Sequence, residues 1–587
     1  MPIPSAPEVR LVFAESLATA LENVNARPLL IVAKTEKEPF YNNFGYRFQT
    51  NCYFLPEAQG IIEIHTEVMF PGHDSTWQAI SELLKDSPGW IDATALALDH
   101  CSLMLREDSY RDLVERVGLE LAVAILRRLG DAVVVSAERS DSARMELFES
   151  EAFFLSMLRQ NESWTAFRRG SRHLRFTQIP EVEDAATSFC MSVDLPSADN
   201  SYRVDFDFGE DRLIRDRLAI LIGKNGTGKS QILLSLIDGL TRHPDVKLVP
   251  RKRSVRFTHR GTDKRRFGPP AFSRVVAFSS TPSDLYPIAL DPWLGIDYQF
   301  FSLTRPPMQR YDSVTISIFD CWRDDERTVL PQIDTTETSA NLPARLLLLK
   351  RILEPLDLWN TVYLPLKKND ASQKYSRFKW DGRGYVKLGE KYPEQKRLLL
   401  FRQIDLTEPP VVIDRMNFTP RHLSSGENVM FRFAAQACAA VEPGTLFLFD
   451  EPETHLHPHF ISDFAEILHR LLVATKSVAI AATHSSYLVR EAPSRRVRIL
   501  RLEDRSISID QPRLQTFGAG IDSISTAIFA DAEISHQFQT TLRNWLTSLS
   551  PDVTIENILE EYGSDMNPET LAYVRRLLAK RAGTRAV

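Results

Sequence analysis

No two of the five cysteines, Cys52, Cys101, Cys190, Cys321 and Cys438, are spaced as a CxxC pair, which speaks against a zinc ribbon or a disulfide framework and fits a reducing cytosol. Long apolar runs are missing as well: none approaches the ~18 residues of a membrane span. The opening MPIPSAPEVR lacks the basic-then-apolar order of an export signal, so a cytoplasmic protein with no membrane partner is expected. An excess of one charge is also absent. The 71 basic and 77 acidic residues leave a net of −6, so any affinity for nucleic acid has to come from a local patch. There is no internal repeat, and no sustained heptad array, which argues against a long coiled coil.

What is present is a folded, multi-domain balance: 587 residues, 43% apolar and 25% charged, are more than one hydrophobic core usually serves. Residues 28–70 alternate short apolar runs with turn residues and read as strands and hairpins. Helical periodicity follows near 76–86, 108–129 and 144–160. Residues 1–180 are therefore expected to form a mixed α/β region with a structural or interaction role. SFCMSVDLP and SYRVDFDF, separated by a polar turn, predict a β-hairpin leading into the apolar strand RLAILIG. Beyond 512 the pattern turns helical, which predicts a short helical extension over 513–587.

Gly223-Lys224-Asn225-Gly226-Thr227-Gly228-Lys229-Ser230 matches G-x-x-x-x-G-K-[ST] at every fixed position, between a buried strand and an amphipathic helix, as a phosphate loop requires. Glycines let successive N–H groups approach phosphate oxygens, and the helix start adds partial positive charge. Lys229 is expected to reach the β- and γ-phosphates of ATP, and the Ser230 hydroxyl to ligate Mg²⁺. Further on, the apolar run Thr445 to Phe449 ends in Asp450 and Glu451, a pair of carboxylates delivered by a buried strand. Asp450 suits a metal held through water and Glu451 the polarisation of an attacking water. Upstream, LSSGENVMFRFAAQA places Ser424, Ser425 and Gly426 at a helix start, and downstream SVAIAATHSS is a buried strand ending in His484.

This set of four motifs in this order resembles the ATP-binding cassette (ABC) family. The resemblance implies an α/β ABC-type P-loop ATPase fold over 181–512: a mixed sheet core, an antiparallel β subdomain, a basic hairpin insertion near 250–270 and a helical lobe over 335–430. It also implies that Ser425 and Gly426 touch the γ-phosphate of a nucleotide held by another subunit, while His484 contacts the γ-phosphate in its own. A head-to-tail homodimer, or a higher even oligomer, closing on ATP is the expected assembly. Glu451 and His484 are then the catalytic pair. The family's usual glutamine at the end of the strand after the P-loop helix is not found; Ser279, Ser280 or Thr281 stand there instead, which predicts slow hydrolysis. Tyr202 and Phe208 are the candidates for stacking on adenine.

The alternating His455, His457 and His459 suggest a metal site, whereas the resemblance makes EPETHLHPHF a subunit contact near the nucleotide, as in RecF-like, SMC-like and overcoming-lysogenisation-defect ATPases. The span between Ser230 and Leu423 has no room for an SMC-type coiled coil, and the residues after 512 are too few for an appended nuclease domain. The sequence thus looks most like the stand-alone ATPases of Septu-type and retron-associated antiphage systems, in which a separately encoded nuclease or toxin does the damage. YNNFGYRF, ATHSSYLVRE and LQTFGAGIDSIS add to that likeness. The alternatives are a RecF- or SMC-like DNA-repair ATPase and a non-catalytic nucleotide-dependent scaffold. RKRSVRFTHRGTDKRR, with eight basic residues against one Asp, makes Arg251, Lys252, Arg253, Lys264, Arg265 and Arg266 candidates for contact with nucleic acid, or else a solvated hairpin.

Overall fold

The computed structural model describes residues 8–39, 44–58, 60–95, 100–139, 141–175, 185, 188–195, 198–209, 217–241, 255–260, 265–267, 269–280, 286–287, 295–304, 311–333, 342–454, 456–529, 537–550, 553–563, 566 and 568–583. They form two compact units, Met1–Ala519 and Gly520–Val587. Among the described residues no helix is long and apolar enough to cross a membrane.

The first unit opens with a five-stranded sheet in the order Ile62–Ile64, Asn51–Leu55, Leu29–Ala33, Arg10–Ala14, Trp90–Asp92. The parallel pair in it is joined through the helix Leu17–Asn23, whose N-cap Ser16 accepts from the Thr19 N–H. The single helix expected near 108–129 is two, Glu107–Val117 and Leu119–Arg128, because Gly118 at φ +79° ends the first and turns the chain into the second. The helix expected over 144–160 is likewise a short helix, Ser142–Leu147, and a π-turn, Phe153–Met157.

The centre of this unit is a seven-stranded sheet in the order Tyr298–Ser302, Val275–Ser279, Leu446–Asp450, Val478–Thr483, Leu218–Gly223, Val497–Glu503, Ser506–Asp510. The first six run parallel and the last turns back. Buried on both faces, the four central strands read as continuous apolar runs rather than alternating ones. Over one face lie the helix Lys229–Thr241 and a four-stranded antiparallel sheet, where Phe189, Met191, Val193, Tyr202, Val204 and Phe206 supply its share of the core. The expected hairpin is there, as Ser188–Val193 paired with Tyr202–Asp207; the basic stretch adds Val255–Arg260 and Arg265–Phe267 to the same sheet.

The span 335–430, expected as a helical lobe, is corrected in part. It holds the helices Ala344–Ile352 and Glu394–Gln403, but also an antiparallel sheet of five strands running from Val362–Pro365 to Pro420–Arg421. Its strands are two to five residues long, too short for a period-two pattern to stand out.

The region N-terminal to 180 is bound to the core through buried ion pairs. Glu442, between the helix Ser425–Ala440 and the strand Leu446–Asp450, faces Arg172 at 2.7 Å, Arg345 at 3.0 Å and Arg169. Asp297, just before the strand Tyr298–Ser302, pairs with Arg175 at 3.0 Å and with Arg274.

The second unit consists of the helices Ile521–Phe529, Gln537–Ser548, Ile555–Tyr562 and Pro568–Gly583. Leu546, Ile558 and Val574 form its core, and Trp545 meets Tyr562 edge to face at 5.1 Å.

Candidate functional site

Three neighbouring parallel strands end side by side, so their carboxyl-terminal loops converge; ligands of open α/β sheets sit at that end. Leu218–Gly223 runs into the phosphate loop, Leu446–Asp450 delivers Asp450 and Glu451, and between them Val478–Thr483 delivers His484. Gly226 and Gly228 hold φ of +82° and +91°, which curls the loop. A Cβ on Gly228 would lie 3.0 Å from the Tyr202 hydroxyl. Tyr202 and Phe208, expected to stack on adenine, are 0% and 1% exposed, so neither offers a ring face to a ligand. Tyr202 packs beneath the loop instead.

The Lys229 ammonium donates to the carbonyls of Gly223 at 2.9 Å and Lys224 at 3.2 Å, and Thr227 closes the loop by donating to the Lys224 carbonyl at 2.9 Å. Burial lowers the Lys229 pKa to about 8 against the opposing pull of Glu451, Asp450 and Glu453. The Ser230 hydroxyl donates to Asp450 Oδ1 at 3.0 Å, joining the loop to the paired carboxylates. Burial pushes the Asp450 carboxyl up, and its bonds from Ser230 and Tyr286 work the other way. A buried carboxylate beside a hydroxyl is a hard-oxygen pair that fits Mg²⁺. Lys229, the loop amides and the start of the helix Lys229–Thr241 fit a polyphosphate.

Glu451 adopts φ +50°, a left-handed conformation costing on the order of 1 kcal/mol in a residue with a side chain. Its N–H donates to the Ala482 carbonyl at 2.8 Å, which fixes the bend, and its Oε1 lies 3.4 Å from His484 Nε2. Burial lowers the His484 pKa, as does Lys229, while Glu451 opposes them.

Two residues that sequence reasoning missed complete the site. The buried Tyr286 donates its hydroxyl to Asp450 Oδ2 at 3.0 Å, so both Asp450 oxygens accept a hydrogen bond. Glu453 Oε1 accepts from the Thr483 hydroxyl at 2.6 Å and from the His484 N–H at 2.7 Å, holding the loop that carries the histidine. Where a glutamine was expected, Ser279 and Ser280 are buried and the Ser280 hydroxyl has no partner among the described residues; Thr281 lies outside them. Tyr286, further along the same connection, is the side chain that meets Asp450.

Ser424 caps the helix Ser425–Ala440 in a reciprocal box with Glu427, whose carboxyl is held at about 2, chiefly by a bidentate pair with Arg421 at 2.8 and 2.9 Å. Ser425 is exposed, whereas Gly426 is buried because the Phe460 ring lies against it. Phe460 lies in the first turn of the helix Pro458–Thr475, just beyond the loop after Glu451, so the two motifs are packed together. Of the three histidines, His455 lies outside the described residues, and the exposed His457 caps the helix Pro458–Thr475, its Nδ1 accepting from the His459 N–H at 3.4 Å. Arg251, Lys252, Arg253 and Lys264 also lie outside the described residues; Arg265 and Arg266 fall on the strand Arg265–Phe267, at an edge of the four-stranded sheet.

Residues 373–490 match a family described as an AAA domain, putative AbiEii toxin, type IV toxin–antitoxin system. The chain is similar to Protein ea59 of Escherichia phage lambda, 24% identical over 430 residues that span 69% of this chain and 70% of that protein. Among solved structures it is similar to the SMC head domain from Thermotoga maritima, at 12% identity and a TM-score of 0.26, over 56% of this chain and 100% of that one. It is also similar to the ADP form of an ATP-binding cassette of an ABC transporter, at 13% identity and a TM-score of 0.25, over 59% and 96%. Scores this low leave the assignment to the AAA-domain match, the strand order and the placement of the motifs. On those grounds the fold is a mixed α/β P-loop ATPase fold.

Proposed function

We propose that this chain hydrolyses ATP at a composite site completed by a second copy of itself, and that this closure governs a separately encoded effector, a nuclease or toxin, in prokaryotic antiphage defence. The observation that carries the reading is the convergence of the phosphate loop, Asp450, Glu451 and His484 at the ends of three adjacent strands. Lys229 exchanges the carbonyls of Gly223 and Lys224 for the β- and γ-phosphates. Ser230 and Asp450 hold Mg²⁺, which when bound neutralises charge on the phosphate oxygens. Glu451 orients the attacking water and takes its proton, and His484 steadies the γ-phosphate. Tyr286 and Glu453 position Asp450 and His484 respectively.

The exposed Ser425 at a capped helix start supports delivery of Ser425 and Gly426 to a nucleotide on the other copy, making the active form a homodimer or a higher even oligomer in the cytoplasm. The description of the matched family as a toxin of a toxin–antitoxin system supports a place in such a system. Glu451→Gln tests the reading. Hydrolysis should fall by about two orders of magnitude or more, and ATP should then accumulate a dimer by light scattering. An unchanged rate would remove Glu451 from the base role. A second reading, an ATPase acting on DNA, draws on the basic strand Arg265–Phe267 at a sheet edge.

A further inference from the structure

Among the described residues, Tyr298–Ser302 is the last strand of the core sheet and pairs on one side only, with Val275–Ser279. The Val275 N–H donates to the Asp297 carbonyl and the Leu303 N–H to the Ser279 carbonyl, each at 2.9 Å, so the odd-numbered residues serve this parallel ladder. The backbone N–H and C=O groups of Tyr298, Phe300 and Ser302 therefore turn toward the open edge. All five residues of the strand line a cleft of about 810 Å³. A pocket on one face of a sheet would meet alternate residues; contact with all five places this one along the edge.

The chemistry of the cleft selects its occupant. Five arginines and two aspartates line it. Arg168 is paired with Asp320, Arg169 and Arg345 with Glu442, and Arg175 with Asp297, while Arg139, exposed at the rim, makes no ion pair among the described residues. Gln436, 2% exposed and lining the same cleft, has a side-chain oxygen without a hydrogen-bond partner among the described residues, an acceptor for an incoming N–H. A free strand edge, one uncommitted guanidinium at the rim and a spare acceptor together describe a seat for extended backbone carrying a carboxylate.

We propose that this cleft docks an extended acidic peptide segment of a partner protein, which adds to the core sheet as a further strand. Its backbone pairs with Tyr298, Phe300 and Ser302, and one of its carboxylates meets Arg139. Docking also reaches the nucleotide site: Phe300 stacks on Tyr286, ring centroids 5.7 Å apart and planes 8° off parallel, and Tyr286 donates to Asp450. Docking at this edge stands independently of the ATPase reading; only the coupling rests on it.

The test uses the full chain and a fluorescein-labelled peptide in which Glu alternates with Val, followed by anisotropy. It should bind saturably, whereas its Lys/Val counterpart, and a version with proline at alternate positions that cannot complete a ladder, should not. Arg139→Glu, a rim change that leaves the core intact, should weaken binding by about tenfold. Absence of saturable binding, equal binding of the proline peptide, or indifference to Arg139→Glu would each overturn the docking site. Coupling is read separately, as a peptide-induced change in affinity for a fluorescent ATP analogue that Tyr286→Phe abolishes while the peptide still binds. If the peptide binds and nucleotide affinity stays constant, the relay is refuted and the docking site stands.

Discussion

Glu442→Gln removes one negative charge from a place where three arginines converge. The carboxylate accepts from Arg345 Nη2 at 3.0 Å and faces Arg172 Nη1 at 2.7 Å and Arg169. Burial pushes its pKa up, but Arg169, Arg172, Arg345 and Arg274 together hold it well below the usual carboxylate range. The amide keeps the shape and loses the charge, leaving Arg169 and Arg345 with Asp324, at 3.6 and 3.2 Å, and Arg169 and Arg172 with Glu107, at 4.0 and 3.4 Å. Removing one partner of a buried ion pair costs about 3–5 kcal/mol. With a urea m-value of about 3 kcal/mol/M, the unfolding midpoint should fall by roughly 1 M or more, followed by tryptophan fluorescence.

The effect depends on pH in a defined direction. A carboxylate with a depressed folded pKa contributes stability that is complete above its unfolded value of about 4.3 and is lost as pH falls through the folded value. Glu107, held at about 2 by Arg169, His173 and Arg172 against burial, behaves in the same way. The gap between native protein and variant should therefore be constant above about pH 5 and narrow below about pH 4.3. Arg501→Ala, in a half-exposed pair with Asp510 at 2.9 Å, is the control and should cost about 1 kcal/mol or less. If Glu442→Gln moves the midpoint no further than this control, the buried arginine cluster does not tie the N-terminal region to the core.

Gly426→Ala sets a Cβ 2.6 Å from two Phe460 ring carbons and should lower stability by about 1–3 kcal/mol in thermal unfolding. Phe460→Leu in the same chain should recover part of it, and an unaffected single variant would contradict the packing. Reversing Arg265 and Arg266 to Glu should weaken duplex DNA binding and flatten its salt dependence, by about one unit of slope for each phosphate no longer neutralised. Binding that keeps its affinity and slope in that variant would remove the strand from any nucleic-acid role.

The parts of the site that could be read in advance are those encoded by spacing along one stretch of chain. The loop 223–230, the pair Asp450 and Glu451 at a strand end, and His484 after the next buried strand each announce themselves through local residue types and apolar runs. Tyr286 and Glu453 do not, because their meaning lies in contacts with Asp450, Thr483 and His484 that exist only after the strands pair. A tyrosine in an ordinary stretch carries no sign of its partner, and Glu453 reads as one more acidic residue of a polar loop. Tyr202 failed as an adenine platform for the opposite reason: an aromatic on an alternating strand near the loop gives no hint of which side it faces. The arginines around Glu442 were equally silent, since charge in a sequence is read as surface by default.

The phosphate-loop strand bonds on one side to Val478–Thr483 and on the other to Val497–Glu503, and has no neighbour from its own stretch of sequence. During synthesis it therefore waits. On the ribosome, the phosphate loop has no flanking strand until the chain has been made through Thr483 and lacks the second until Glu503, and closing so long a loop is slow. A message cut short between the two motifs yields a glycine loop and no socket. A nucleotide would then act as a late seal, engaged only after the chain has been built through Glu503.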